Sequence, residues 1–248
     1  MHGDADIATV AALMGEPARA AVLVALADGR ALAASTLAAE AGVAPSTVSG
    51  HLARLVAGGL VCVEPSGRHR YYRLAGPQVG EAVEALARLA PTRPVRSLRA
   101  GTHAQAIRRA RTCYDHLAGR LGVALHDTLV ADRVVLVGAN PDAGRGAAPD
   151  PVLGAGRALQ YELTDHGRRR LADLGIVLDG AGRRTLLRYC LDWSEQRPHL
   201  GGALGAALLQ RFVQLGWLLP SERRVVRITE AGRAGLADQL GMNLDGLG

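Results

Sequence analysis

Along the first ninety residues, apolar positions recur at helical spacing and then give way to short strands. Residues 7–14 are apolar and rich in alanine. Glu16-Pro17 opens a second helix, because proline fits a first turn, and Asp28-Gly29 stops it. Ser35 is placed to cap a third short helix that ends at Gly42. Pro45 starts a fourth, running to about Ala57, with Gly58-Gly59 as its stop. Leu52 and Leu55 can point inward from it, leaving Ser46, Thr47, Ser49, His51 and Arg54 for the other side. LVCVE then reads as a strand, PSGRH as a turn and RYYRL as the return strand, and residues 78–89 form a last helix before Pro91.

The third and fourth helices, joined at Gly42-Val43, make a helix-turn-helix. STVSGHLARLVAGGLV (46–61) and the hairpin GRHRYYRL (67–74) resemble the ArsR/SmtB group of winged-helix bacterial transcription regulators. The resemblance covers about residues 5–90 and rests on these motifs in combination. It implies a homodimeric regulator of double-stranded DNA, with the fourth helix in the major groove of a palindromic operator and the wing on the backbone. The DNA-binding set it implies is Ser46, Thr47, Ser49, His51 and Arg54 on the helix and Arg68, His69 and Arg70 at the wing. Short hydroxyls at a helix start can meet phosphates or base edges; for His51, packing between helix and wing is the competing expectation. Two departures stand out. Gly50 occupies a position where relatives often carry a longer polar side chain. The stretches STLAAEAG and GEAVEALARLA lack the thiols and imidazoles of metal-sensing relatives. Cys62, flanked by valines, reads as core.

The second half repeats itself. HLAGRLGVAL (116–125) matches HLGGALGAAL (199–208) at seven of ten positions, and ELTDHGRRRLAD (162–173) matches RITEAGRAGLAD (227–238) at six of twelve. Segment 138–156, of which thirteen of nineteen residues are Gly, Ala or Pro, reads as an insertion in the first copy. Each copy runs helix, strand ending in Thr, turn with Gly-Arg, helix, like the back half of a winged helix. The expected fold class is mainly α with small β-hairpin wings. A winged helix-turn-helix domain (1–90) and an arginine-rich linker (91–104) precede a duplicated, degenerate winged-helix-like effector domain (105–248), with copies at 113–176 and 196–242.

Charge adds little to this. The chain has no lysine, so its 29 arginines are better read as coding bias than as phosphate chemistry. The excess of the net +6 sits in PTRPVRSLRAGTHAQAIRRAR (91–111), which holds six arginines and no acid and can be a solvated arm or a contact with DNA backbone, through Arg96, Arg99, Arg108 and Arg109. No apolar run approaches membrane-spanning length and no signal peptide is read, so a cytoplasmic protein with reduced thiols is expected.

The remaining chemistry lies in RTCYDH and RYCLDWSEQRPH. Cys113, His116, Cys190 and His199 would suit zinc, cadmium or another soft divalent cation, or a thiol sensor. Against this, the two histidines fall at equivalent positions taken as helix starts, where they can simply cap, while Cys113 aligns with Gln196. Trp193 is a candidate for a small-molecule effector pocket. The expected function is a sequence-specific DNA-binding repressor released by an effector. A partner-binding winged helix that no longer reads DNA is the alternative, and a Cys/His enzyme is a weaker one, since neither cysteine carries a nucleophile signature.

Overall fold

The computed structural model describes residues 4–66, 69–91, 94, 95, 97–139, 159–176, 178 and 184–247. The chain divides into two compact units, 1–89 and 90–248. Among the described residues, no single helix is long and apolar enough to cross a membrane.

Unit 1 runs α1 (Ile7–Gly15), α2 (Pro17–Leu26), β1 (Leu32–Ala33), α3 (Ala34–Ala41), α4 (Pro45–Ala57), β2 (Val61–Ser66), β3 (His69–Leu74) and α5 (Pro77–Leu89). The sheet order is β1-β3-β2, antiparallel throughout. Two side chains join α1 to α2. The Glu16 carboxylate accepts from the Ala18 and Arg19 amides and so caps α2. The buried Arg19 guanidinium donates to the Leu13 and Ala12 carbonyls at the end of α1. Gly42 takes a left-handed conformation (φ 66°), and its amide and that of Val43 bond back to Ala39 and Ala38, which turns the chain sharply from α3 into α4. Leu23, Leu26, Leu37, Val48, Leu52, Leu55 and Leu74 form the buried interior. Two sequence expectations shift. α3 begins at Ala34 with no side-chain cap, so Ser35 lies inside the helix. Pro65 and Ser66 pair with Arg70 and His69, so Pro65, Ser66 and His69 of the expected turn PSGRH belong to the strands, while 67 and 68 lie outside the described residues.

Unit 2 opens with α6 (Leu98–Arg109), so a helix belonging to this unit crosses the boundary drawn from sequence at 104/105. Two copies of one arrangement follow. The first is β4 (Arg111–Cys113), β5 (His116–Ala118), α7 (Gly119–Ala131), β6 (Val135–Ala139), β7 (Leu159–Leu163) and α8 (Asp165–Asp173). The second is β8 (Arg188–Leu191), β9 (Pro198–Gly201), α9 (Gly202–Gln214), β10 (Leu218–Pro220), β11 (Val226–Ile228) and α10 (Glu230–Leu240). Each copy is hairpin, helix, hairpin, helix. The leading hairpin was not read from sequence, because its strands are three or four residues long and carry no alternation. The repeated threonine is a cap: Thr164 and Thr229 accept from the Gly167 and Gly232 amides, each at 2.8 Å. The repeated glycine therefore lies in the first turn of a helix and not in a turn before it. Gly138 and Ala139 belong to β6, paired with Gln160 and Leu159, so the insertion starts later than expected; 140–158 lies outside the described residues. Leu121, Leu125, Leu129, Leu171, Leu204, Leu208, Phe212, Trp217 and Leu236 supply the core of unit 2.

Candidate nucleic-acid interface and a buried cysteine–histidine cluster

α4 is two-sided. Val48, Leu52 and Leu55 are buried, while Ser46, Thr47, Ser49 and Arg54 are exposed. Pro45 at the first turn costs no helical hydrogen bond, and the turn at Gly42 fixes the direction of α4. The Ser49 hydroxyl donates to the Pro45 carbonyl at 2.9 Å, which uses its proton locally and leaves its lone pairs outward. His51 stands apart from this set. Its side chain is only 15% exposed and its Nδ1 lies 3.4 Å from the Glu16 carboxylate at the head of α2. Its ring lies against the Glu16 carboxylate and is largely buried, so it is less open than the rest of the set. Arg70 on β3 is exposed. For His69 only the backbone pairing with Ser66 is described, and Arg68 lies outside the described residues. Cys62 is half-buried, its thiol near the Arg73 and Leu74 carbonyls, so it is less of a core residue than expected.

The basic segment does not behave as one arm. Arg99 is exposed and Arg96 is outside the described residues. Arg108 is half-buried, 5.8 Å over the Trp193 ring. Arg111 is fully buried, 4.7 Å over the Trp193 indole and paired with Asp192 at 3.0 Å. Trp193 thus covers a buried ion pair.

Four of the residues singled out in unit 2 come together. Cys113 is the cross-strand partner of His116, and Cys190 that of His199. The histidines are therefore strand residues and cap no helix. The two cysteines are equivalent, which corrects the alignment of Cys113 with Gln196. Two residues separate Cys113 from His116 and eight separate Cys190 from His199, so an ungapped alignment cannot match both pairs. The signal that would have found the equivalence is Arg-x-Cys-x-Asp, present as RTCYD (111–115) and RYCLD (188–192).

The hairpins meet through β5 and β9, with α7 packed on β9 and α9 on β5. A conserved geometry inside the chain follows: Gly205 of α9 faces His116, and Gly122 of α7 faces His199. The Cys113 and Cys190 sulfurs lie 3.8 Å apart. The two imidazoles stack with centroids 5.1 Å apart and planes at 26°. One ligating atom from each of the four residues falls within 4.8 Å of all the others, and all four side chains are buried. Nδ1 of His116 lies 3.3 Å from the Asp115 carboxylate, which also pairs with Arg184 at 2.6 Å. Nδ1 of His199 lies 3.9 Å from Asp192. Nε2 of both histidines, and Nδ1 of His199 as well, are buried without a hydrogen-bond partner. Burial by itself lowers the His116 pKa, but Cys113 and Asp115 outweigh it and raise it to about 9. Asp192 accepts from Arg111, the Gly119 amide, the Ser194 amide and hydroxyl and the Glu195 amide. Burial opposes its charge, yet Arg111 and His199 hold it well below the usual carboxylate range.

A helix-turn-helix with a two-stranded wing and an exposed polar side on its second helix defines unit 1 as a DNA-binding domain of the winged class. Residues 14–64 match a family model described as a helix-turn-helix domain. The chain is 36% identical over 242 residues to the uncharacterized HTH-type transcriptional regulator YdfF of Bacillus subtilis (strain 168), covering 96% of this chain and 99% of that one. It belongs to this family of helix-turn-helix transcriptional regulators. Among solved structures it is similar to the homodimeric winged helix-turn-helix domain of Mb0332 from Mycobacterium bovis, described as a possible ArsR-family regulator (31% identity, 36% of this chain, 88% of that chain, TM-score 0.31). It is also similar to the cadmium sensor CMTR from Mycobacterium tuberculosis (32% identity, 38% of this chain, 100% of that chain, TM-score 0.28).

Proposed function

We propose that the chain is a homodimeric, cytosolic repressor that reads a palindromic operator through α4 and the wing and is released when an effector engages unit 2. The observation that carries this is the division of α4, with hydroxyls and Arg54 outward and three branched apolar residues inward. Dimerisation is supported by apolar side chains left outward on the first and last helices of unit 1, with Ile7 75% and Leu89 70% exposed. An effector in unit 2 is supported by the lack of thiols and imidazoles on α3 and α5 and their concentration in unit 2. Burial of all four cluster residues favours a binding role over a nucleophile working on a diffusing substrate, so an enzymatic activity is not part of this reading.

The test is binding of the full chain to DNA upstream of its own gene, by gel shift and anisotropy. The expected site is an imperfect palindrome with half-sites about 34 Å apart or a multiple of that. Arg54→Ala should weaken specific binding by about 1–3 kcal/mol if it reads a base, and Arg70→Ala should lower the salt slope by about one unit. A folded protein that prefers no sequence over bulk DNA would refute the reading in favour of a partner-binding winged helix.

A further inference from the structure

We infer that Cys113, His116, Cys190 and His199 form a closed tetrahedral site for a zinc(II)-type divalent cation that clamps the two repeat copies of unit 2 to each other. The inference deepens the effector part of the reading above and rests on it only for what the metal does to DNA binding.

The donor set is two thiols and two imidazoles, a combination suited to zinc and its neighbours. The spacing fits as well. Zn–S bonds of ~2.3 Å in a tetrahedron set sulfur–sulfur edges of about 3.8 Å, and the observed separation is 3.8 Å. The whole set lies within 4.8 Å, so small side-chain shifts suffice.

The histidine nitrogens supply an independent argument. A buried polar atom without a partner is costly, and native interiors contain few. Here Nε2 of both His116 and His199 is such an atom. A disulfide between the two sulfurs would leave both nitrogens as they are. A metal satisfies all four groups at once. A divalent cation with two thiolates is also neutral overall, which suits a dry interior.

The surroundings are those of a metal site. Ligating histidines commonly present the second ring nitrogen to a carboxylate, which fixes the ring and raises its basicity. His116 has Asp115 at 3.3 Å on Nδ1, while the Asp192 carboxylate lies 3.9 Å from Nδ1 of His199, near it but beyond hydrogen-bond reach. Each copy supplies one cysteine, one histidine and one aspartate, from the same hairpin. With four protein ligands and no exposed face, the site holds its ion and presents no open position for a substrate.

The experiment uses the full chain, purified without a tag, reduced, stripped with a chelator and titrated with cobalt(II) and then zinc(II). The expected result is one cobalt per chain, with the strong visible bands of a tetrahedral ion and thiolate charge transfer in the near ultraviolet, both abolished by zinc. Cys113→Ser should bind about 100-fold or more weakly and lose part of the charge transfer. Should that variant fail to fold, Asp115→Asn, whose side chain is partly exposed, takes its place, with a tetrahedral spectrum and affinity lowered about 10–100-fold. A folded, reduced parent that takes up no cobalt, gives an octahedral spectrum or binds undiminished in both variants overturns the site. So does mild oxidation that joins Cys113 to Cys190 in protein that never takes up metal. Operator binding with and without zinc is read in parallel. Cobalt uptake with unchanged operator affinity supports the site and overturns the effector role proposed above, so the two readings fail separately.

Discussion

The close packing of α9 on the strand before it predicts the outcome of one small substitution, Gly205→Ala. A Cβ at position 205 would lie 2.2 Å from the Leu200 carbonyl oxygen, 3.0 Å from its carbon and 3.0 Å from the His116 Cβ. Two of these are backbone atoms of β9, the strand on which α9 starts, and they cannot rotate away. Overpacking of a close-packed interior costs about 1–3 kcal/mol, and a fixed backbone neighbour puts this case at the upper end. Replacing glycine inside a helix returns about 1 kcal/mol. The net expectation is a loss of about 2 kcal/mol, or about 4–8 °C in Tm for a unit of this size. Both tryptophans, Trp193 and Trp217, lie in unit 2, so indole fluorescence in a urea or thermal titration of the full chain reports that unit. Gly122→Ala should behave alike, because its Cβ would lie 2.5 Å from the Leu117 carbonyl oxygen. A midpoint unchanged or raised in both variants would refute the packing of α9 on β9 and of α7 on β5.

Gly50→Ala, the same chemical change on α4, has the opposite expected sign: nothing lies within 4 Å of the added carbon, so unit 1 should gain about 1 kcal/mol, read by amide hydrogen exchange. Asp192→Ala leaves Arg111 charged and buried without its carboxylate and should cost about 3–5 kcal/mol; a loss below about 1 kcal/mol by the fluorescence titration would show that the pair is solvated. Because the Asp192 pKa is depressed in the folded chain, its stabilisation is present above the ordinary aspartate value of about 3.9 and is lost as pH falls below it; a pH series of unfolding midpoints should be flatter there in Asp192→Asn. Cobalt uptake should weaken as pH falls, since the thiols must lose protons to bind; a pH-independent affinity would point to ligands other than the cysteines.

Unit 1 was legible because its signals are local. Pro17 and Pro45 open helices, Gly42 closes one, and the wing strands are long enough to show a change of pattern. His51 was harder to read, because Glu16, the residue that occupies it, is 35 positions away and on another helix. In unit 2 the four cysteine and histidine residues were visible as a group, but their arrangement was not. A three-residue strand carries no periodicity, so His116 reads as a helix start when it is the partner of Cys113 across a hairpin. The longer connection between Cys190 and His199 then hid the equivalence of the two cysteines. The pairing of Arg111 with Asp192 joins residues 81 apart and has no local signature at all.

The two hairpins that meet at β5 and β9 behave as a dimer interface whose halves have been joined into a single polypeptide. In an association of separate chains, dilution would part the halves and dissolve anything built between them. Here the connecting chain keeps each half at a high effective concentration beside the other. Assembly of the Cys113–His116–Cys190–His199 cluster therefore does not depend on protein concentration. The joining also releases the halves from identity: one turn has two residues and the other a long loop carrying Trp193, and Arg111 pairs with Asp192 while Asp115 turns to Arg184. One side of the axis can thus change its chemistry while the other preserves the fit.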